Sequence, residues 1–417
     1  MKKDDSLINS IRTINERCRG CTHCLRVCPT EAIRVRNRKM EVNNLKCIDC
    51  GECFKVCPTN SIYSFHDDIS IINNYDYKIL IVPNILPSIN FGMLSYEDVI
   101  KRLFSFGFNE IWEEGIGNEA YLIALKNRLN EKKDISKPII PTSCPSVVRL
   151  IQVNYPIFIN NLAVINLPLD ILGNYLREKR KNINNFGLFY LSTYPCKVTA
   201  LKNPIGLKSS PFDAVFSLSD IYKKILIEKN EGLGEFVKSG KIGVSSGRRG
   251  GEEDFLDGFK VISIDGILNI KKFFDEMEEE KIPYLDYIDA KACSYGCVGG
   301  VFLKNQNFLL NFYNQKDEEK RRKSLISEIV EKDIDEFLKE ENLLLTEKIN
   351  PRPQYLLSEN MDIAAKIFQE INMIYDILPK LDCGSCGAPS CKSFAEDVVL
   401  NKVKLSDCKF IEEKNLY

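Results

Sequence analysis

The spacing of its cysteines constrains this chain more than any other feature. Cys18, Cys21, Cys24 and Cys28-Pro29 form C-x2-C-x2-C-x3-C-P, and Cys47, Cys50, Cys53 and Cys57-Pro58 repeat the pattern. Three thiolates two residues apart wrap one metal cluster. The fourth lies too far along to close the same one. The residues after each run, Thr30-Glu-Ala-Ile33 and Thr59-Asn-Ser-Ile62, match as well, which predicts a pseudo-twofold repeat. A pair of zinc knuckles is the competing reading of these residues.

The chain has 16 cysteines against 2 histidines, His23 and His66, and each histidine stands alone without a ligand spacing. Met1-Lys-Lys-Asp-Asp-Ser-Leu-Ile-Asn-Ser has no apolar core of signal-peptide length. No apolar run long enough to span a bilayer follows it. A cytoplasmic location without a membrane span is therefore expected, where disulfides are rare and thiols remain available for metals. Thiolate-only sites suit iron–sulfur clusters or zinc. The formal net charge of −1 leaves no basic excess to neutralise phosphates, so no nucleic-acid partner is expected.

The double motif resembles bacterial two-cluster ferredoxins, in which the fourth cysteine of each run serves the other cluster. That resemblance implies one [4Fe-4S] cluster on Cys18, Cys21, Cys24 and Cys57, and another on Cys47, Cys50, Cys53 and Cys28. Near the far end, Cys383-Gly-Ser-Cys386-Gly-Ala-Pro-Ser-Cys391 is followed by Cys408. Gly384, Gly387 and Pro389 let the backbone turn tightly around a ligand, and Lys392 to Leu405 reads as a helix returning to the fourth cysteine. Zinc is again the alternative. This run resembles the small iron–sulfur module of corrinoid proteins and electron-transfer subunits.

Four cysteines remain in the middle: Cys144, Cys196, Cys293 and Cys297. A lone buried cysteine is ordinarily packing, but these have telling surroundings. Ile139-Ile140-Pro-Thr-Ser-Cys144-Pro145 is an apolar run ending on a cysteine, followed by a helical pattern over Val147 to Val153. Pro145 suits a first helical turn, which sets the thiolate near a helix N-terminus. The stretch from Gly187 to Cys196 repeats the design, and Cys293-Ser-Tyr-Gly-Cys297-Val-Gly-Gly300 pairs two cysteines with three glycines that let something bulky approach.

Between Tyr77 and Phe312, strand-like runs (Ile79 to Val82, Pro138 to Pro141, Phe186 to Leu191, Ala214 to Ser217, Lys260 to Ile264) alternate with helical ones (Tyr96 to Phe106, Leu169 to Arg180, Ile270 to Glu280). Such alternation predicts parallel sheets with covering helices, with ligands at the C-terminal strand ends. Gln315 to Glu341 reads as one surface or linker helix with a solvated charged face, and Met361 to Leu378 as a second helix.

Taken together, Pro-Thr-Ser-Cys144-Pro, Tyr-Pro-Cys196-Lys197 and Ala-Cys293-Ser-Tyr-Gly-Cys297-Val-Gly-Gly resemble the three cysteine motifs of the [FeFe]-hydrogenase large domain. The strings from Ser143 to Val153 and from Lys197 to Pro204 resemble its sensory branch. The fold class implied is α/β in three parts. A ferredoxin-type α+β module spans 10–67 and a two-lobed parallel α/β domain spans 75–312. A helical linker follows at 313–378 and a small helical iron–sulfur module at 379–412. By that resemblance Cys144, Cys196, Cys293 and Cys297 hold the cubane of the H-cluster. Cys297 also bridges to a diiron subcluster with carbon monoxide and cyanide ligands, where hydrogen is split or formed. Pro83, Asn84, Gly299 and Gly300 would flank it.

Four positions depart from the family pattern. Ser143 stands where active members carry a proton-shuttling cysteine. Lys197 follows Cys196 directly, whereas the family's cyanide-contacting lysine lies where Thr199 stands here; a two-residue deletion would make Lys197 its counterpart. Tyr194 replaces a methionine, and Asp289 replaces a glutamate. The expected protein is a slow hydrogenase suited to sensing hydrogen or redox state, its substrates hydrogen and protons, working with a redox or signalling partner. The alternative is an electron-transfer or scaffold protein whose centre holds only a cubane. The cysteine arithmetic closes at four cubanes, so anaerobically purified protein should carry about 16 irons per chain, or about 18 with diiron-installing enzymes. A value near 8, that of two cubanes, would remove the central and terminal clusters.

Overall fold

The structure is a computed structural model that describes residues 7–131, 136–303, 306–352 and 360–411. The polar start at 1–6, part of the expected linker at 353–359 and the expected terminal boundary at 412 lie outside the described residues.

The N-terminal module runs β1 (Ile11–Thr13), α1 (His23–Arg26), β2 (Ile33–Arg36), β3 (Lys39–Val42), α2 (Glu52–Val56) and β4 (Ile62–Ser64). Strand β1 pairs antiparallel with β4, and β2 with β3, so the chain before the first motif is stitched to the chain after the second. Each short helix carries the third cysteine of its motif, Cys24 in α1 and Cys53 in α2. The core is small, with Ile11, Leu25, Ile33, Met40 and Ile62 packed among the cysteines themselves. Modules of this size gain stability from metal stapling.

The central domain is built on β5 (Tyr77–Val82), α3 (Tyr96–Phe104), β6 (Glu110–Glu113), α4 (Gly115–Glu131), α5 (Pro145–Asn154), α6 (Pro168–Lys179) and β7 (Phe186–Ser192). It continues with α7 (Pro195–Lys202), β8 (Ala214–Ser217), α8 (Leu218–Ile227), β9 (Glu235–Val237), α9 (Lys241–Ser245), β10 (Val261–Asp265), α10 (Ile267–Glu278) and β11 (Tyr287–Lys291). Five strands form one parallel sheet in the order β8-β7-β5-β6-β9, with Ile79 opposite both Leu188 and Glu110. A separate parallel pair joins β10 to β11. Ile79 to Val82 and Phe186 to Ser192 are buried throughout, as a strand covered on both faces requires. The strands consequently end on one side, at Asn84, Glu114, Cys196 and, for β11, Cys293.

Pro138 to Pro141 forms no extended strand. Ile139 makes a single bridge to Tyr287 and Ile140 one to Leu162, because the flanking prolines have no amide to donate. Strands β6, β9 and β11 were not evident in the sequence pattern. The reading of Gln315 to Glu341 as one solvated helix is corrected: the chain forms α11 (Phe308–Arg321), α12 (Glu328–Phe337) and α13 (Glu340–Leu343). Between α11 and α12 it is pinned to the central domain. Arg322 pairs with Glu113 at 2.8 Å, the amides of Lys241 and Ile242 donate to the carbonyls of Ser324 and Leu325, and Ser327 donates to Glu119. Val330 and Phe337 are fully buried, and Phe337 stacks on Tyr175 with ring centroids 4.0 Å apart. After α14 (Met361–Ile377), α15 (Cys391–Val399) stops short of the expected Leu405, and a 3-10 turn over Leu405–Asp407 leads into Cys408. Among the described residues no helix is long and apolar enough to cross a membrane.

One core residue is electrostatically costly. Asp170, in the first turn of α6, is buried, and neither carboxylate oxygen has a hydrogen-bond partner among the described residues. Burial pushes its pKa up to about 7. Because the folded value lies above the unfolded one, the group's stabilising protonation is complete below the unfolded pKa, about 4. It is lost as pH rises through about 7. Asp170→Asn should therefore melt progressively above wild type from pH 5 to pH 8, by an amount on the order of 2 kcal/mol. A gap independent of pH would mean that the carboxylate is solvated after all.

Candidate metal centres

The C-terminal strand ends of the central domain converge on a narrow cavity walled mostly by buried side chains. All four middle cysteines line it. Cys144 caps the N-terminus of α5, with Pro145 in the first turn. Cys196 sits in the first turn of α7 behind Pro195. Cys293 follows β11, and Cys297 opens a 3-10 turn. Burial pushes all four thiols up. For Cys297, Lys197 and Lys291 pull the other way.

Among the other expected residues, Ser143, Asn84 and Lys197 line the same cavity. Lys197 contacts the Glu114 carboxylate, and its ammonium lies 5.4 and 5.2 Å from the ring centroids of Tyr190 and Tyr194. Burial pulls Lys197 down to about 7, against the Cys297 and Cys293 thiols. Asp289 is not a wall residue. It accepts a hydrogen bond from Lys291, which is one, and Lys291 also donates to Glu252 at 3.1 Å. Pro83, Gly299 and Gly300 stand back from the cavity. A Cβ on Gly299 would lie 2.1 Å from the Ser294 carbonyl oxygen and one on Gly300 2.9 Å from that of Thr193, so these glycines admit the chain's own backbone.

The sequence pattern had not pointed to Glu114, Asn118, Ser246, Glu252 or Lys291, all of which line the cavity. Glu114 and Lys291 stand at the ends of β6 and β11, so the strand-end rule would have found them had those strands been recognised. Tyr190 donates to Glu114 at 2.9 Å, and Tyr287 donates to Glu252 at 2.5 Å. Each buried charge thus has a buried partner.

The remaining cysteines also gather in fours. Cys28, Cys47, Cys50 and Cys53 line one small cavity, and Cys383, Cys386, Cys391 and Cys408 another. Cys18, Cys21 and Cys57 lie close enough to Cys24 to act on it electrostatically, and with burial they raise its pKa to about 12. Burial of Cys57 is outweighed by hydrogen bonds from Ser61 and Thr59, which bring its thiol to about 7. Cys50 belongs to two walls, since it also lines the central cavity.

These donors fit iron–sulfur groups. They are thiols in fours, yet no three His, Cys, Asp or Glu side chains among the described residues converge tightly enough to hold one metal ion. A cluster spreads its ligands over several irons and needs a wider cage. In the central cavity the buried Oδ1 of Asn84 has no partner among the described residues, while its Nδ2 donates to Ser246 at 3.1 Å.

Family models and solved structures agree with this arrangement. Residues 87–225 and 221–301 match the family "Iron only hydrogenase large subunit, C-terminal domain", together more than half of the chain. Residues 17–61 match "4Fe-4S dicluster domain", and residues 378–410 match a family of Fe-S cluster modules. HydA(deltaEFG), an [FeFe]-hydrogenase described for stepwise H-cluster assembly, shares the fold at 15% identity and a TM-score of 0.51, covering 66% of this chain and 94% of its own. An [FeFe]-hydrogenase described for oxygen inactivation through its 2Fe subcluster aligns at 16% identity, TM-score 0.50, with the same coverage. A variant of HydA1 from Chlamydomonas reinhardtii aligns at 14% identity, TM-score 0.50, covering 66% of this chain and 95% of that one. A cavity of four cysteines at the strand ends of this fold, under a family model that spans most of the central domain, leads to one assignment: the chain is an iron–sulfur protein of the [FeFe]-hydrogenase large-subunit family, with a ferredoxin module at its N-terminus.

Proposed function

We propose that the chain holds four [4Fe-4S] clusters, one in each set of four cysteines, and that the central set carries a diiron extension. On this reading it turns over hydrogen slowly and serves to sense hydrogen or redox state. The observation that carries the proposal is the composition of the central wall. Cys144, Cys196, Cys293 and Cys297 share it with Lys197, Asn84 and Glu114, while the ferredoxin ligand Cys50 reaches it from outside. When bound, such a group supplies reversible cleavage of hydrogen.

The chain's own residues then have separable tasks. The four thiolates anchor. Lys197, held by Glu114 and backed by two tyrosine rings, would offer a hydrogen-bond donor to a ligand of that group. Asp289 and Glu252 orient Lys291, another residue of the wall. Ser143 is the weak member: acid–base help works best when the donor's pKa lies near the working pH. A thiol at about 8.5 meets that condition, and a serine hydroxyl does not. Slow turnover with hydrogen binding retained suits a sensor that hands electrons to a redox or signalling partner in the cytoplasm. The second reading, an electron-transfer protein with only a central cubane, draws on the same Ser143.

An infrared spectrum of protein matured with diiron-installing enzymes separates the two, since carbon monoxide and cyanide stretches are expected under the first. Their absence, with the irons remaining at about 16, would leave the second. Hydrogen oxidation by matured wild type should be slow, and Ser143→Cys should raise its rate. Equal rates well above background would mean that protons enter by another route.

A further inference from the structure

The C-terminal module does not hang from its connecting helix. It is seated on the ferredoxin module through a seam of buried contacts. Arg34 and Arg36 both pair with Asp397 of α15, at 2.6 and 2.7 Å, and Lys46 pairs with Glu396 at 3.0 Å. These side chains are between 3% and 17% exposed, so the pairs are screened far less than surface ones. The main chain joins in, the amide of Val35 donating to the Gly387 carbonyl at 2.8 Å. Gly387 has φ +79°, and a Cβ there would lie 1.9 Å from the Val35 carbonyl oxygen, so only glycine allows this approach.

The seam reaches the cysteines themselves. Arg36 donates to the carbonyl of Cys386 at 2.5 Å and Arg26 to that of Cys383 at 3.4 Å. Ser390 and Ser393, on either side of Cys391, donate to Glu31. Arg26 closes α1, the helix that carries Cys24, and a Cβ on Gly384 would touch Leu25 at 3.4 Å. The ferredoxin module also engages the central domain, because Cys50 lines the central cavity and Gly51 packs on Val301. On the terminal module's outer edge Leu381 is 59% exposed and Phe410 52% exposed, close in sequence to Cys383 and Cys408.

We propose that the C-terminal module is the outermost station of a single electron chain. The order runs from the Cys383, Cys386, Cys391 and Cys408 set, through the set containing Cys24 and then the set containing Cys50, to the central cavity. The proposal rests on the iron–sulfur reading of those cysteines. In the reducing direction, one electron from a reduced one-electron carrier protein enters at the terminal module. That carrier is oxidised, the terminal site is reduced and then reoxidised as the electron moves inward, and no covalent bond or proton is involved. Hydrogen oxidation drives the same steps in reverse. The charged seam holds the two modules at a fixed separation, which a tethered domain would not.

The test uses the full chain made without diiron-installing enzymes, reconstituted anaerobically and reduced with dithionite, read by electron paramagnetic resonance and iron content. Cys386→Ser with Cys391→Ser should lower iron from about 16 to about 12 per chain. The difference spectrum against wild type should be broadened by coupling to a neighbouring reduced cluster. Asp397→Arg should lose that broadening with iron unchanged, and Arg36→Asp placed in the same chain should restore it. A narrow, magnetically isolated difference spectrum in wild type would overturn the proposal even if the seam variants fail to fold. Broadening that survives Asp397→Arg, or iron unaffected by the cysteine changes, would overturn it as well. Because no diiron site is present in this experiment, the infrared test of the proposed function stands or falls separately.

Discussion

One buried carboxylate ties the ferredoxin module to the mounts of the central cavity. Asp49 stands between Cys47 and Cys50 and accepts hydrogen bonds from the Ser10 amide at 3.1 Å, the Thr199 hydroxyl at 2.7 Å and the Arg149 guanidinium at 3.1 Å. Arg149 belongs to α5, the helix that Cys144 caps, and Thr199 to α7, which carries Cys196. One side chain therefore ties a ferredoxin cysteine loop to the mounts of two cavity cysteines. Burial pushes the Asp49 carboxyl up, although Arg149 and Thr199 oppose it. Breaking a buried pair of this kind costs about 3–5 kcal/mol, because the survivor keeps an unsatisfied charge. Ser10 closes the joint from the other side by donating to the Pro195 carbonyl at 3.1 Å.

With the joint fixed, the cavity becomes asymmetric. Its four thiols are chemically alike, yet Lys197 and Lys291 both act to favour the charged form of Cys297. Each cation is committed to its own carboxylates, Lys197 to Glu114 and Lys291 to Asp289 and Glu252. Such pairs are worth little as stabilisers once desolvation is counted. Their value here is positional: they keep two ammonium groups in a low-dielectric wall without collapse onto the thiols.

The periphery follows the same logic at larger scale. The stretch from Arg322 to Ser327 looks in sequence like the middle of a charged helix, but Glu113, Glu119 and the carbonyl of Ser239 claim its donors and break it. Val330 and Phe337 then close the domain core, with Phe337 against Tyr175. In the terminal module, acidic residues of α15 meet arginines of β2, and the module is seated instead of trailing.

What the sequence determined by itself is the iron–sulfur character and the class of fold. Cysteine ligands are local, most of them within four residues of the next, so their spacing survives as a readable pattern whatever the rest of the chain does. The parallel sheet was legible for a related reason: Ile79 to Val82 and Phe186 to Leu191 are apolar throughout because both faces are covered. Tertiary structure decided the rest. Glu114 meets Lys197 and Tyr190, Asp49 meets Arg149 and Thr199, and Asp397 meets Arg34 and Arg36, all across long stretches of chain. A charged residue in sequence carries no mark of whether its partner will be water or a buried ion of opposite sign. Only the folded chain, by removing the water, makes that choice.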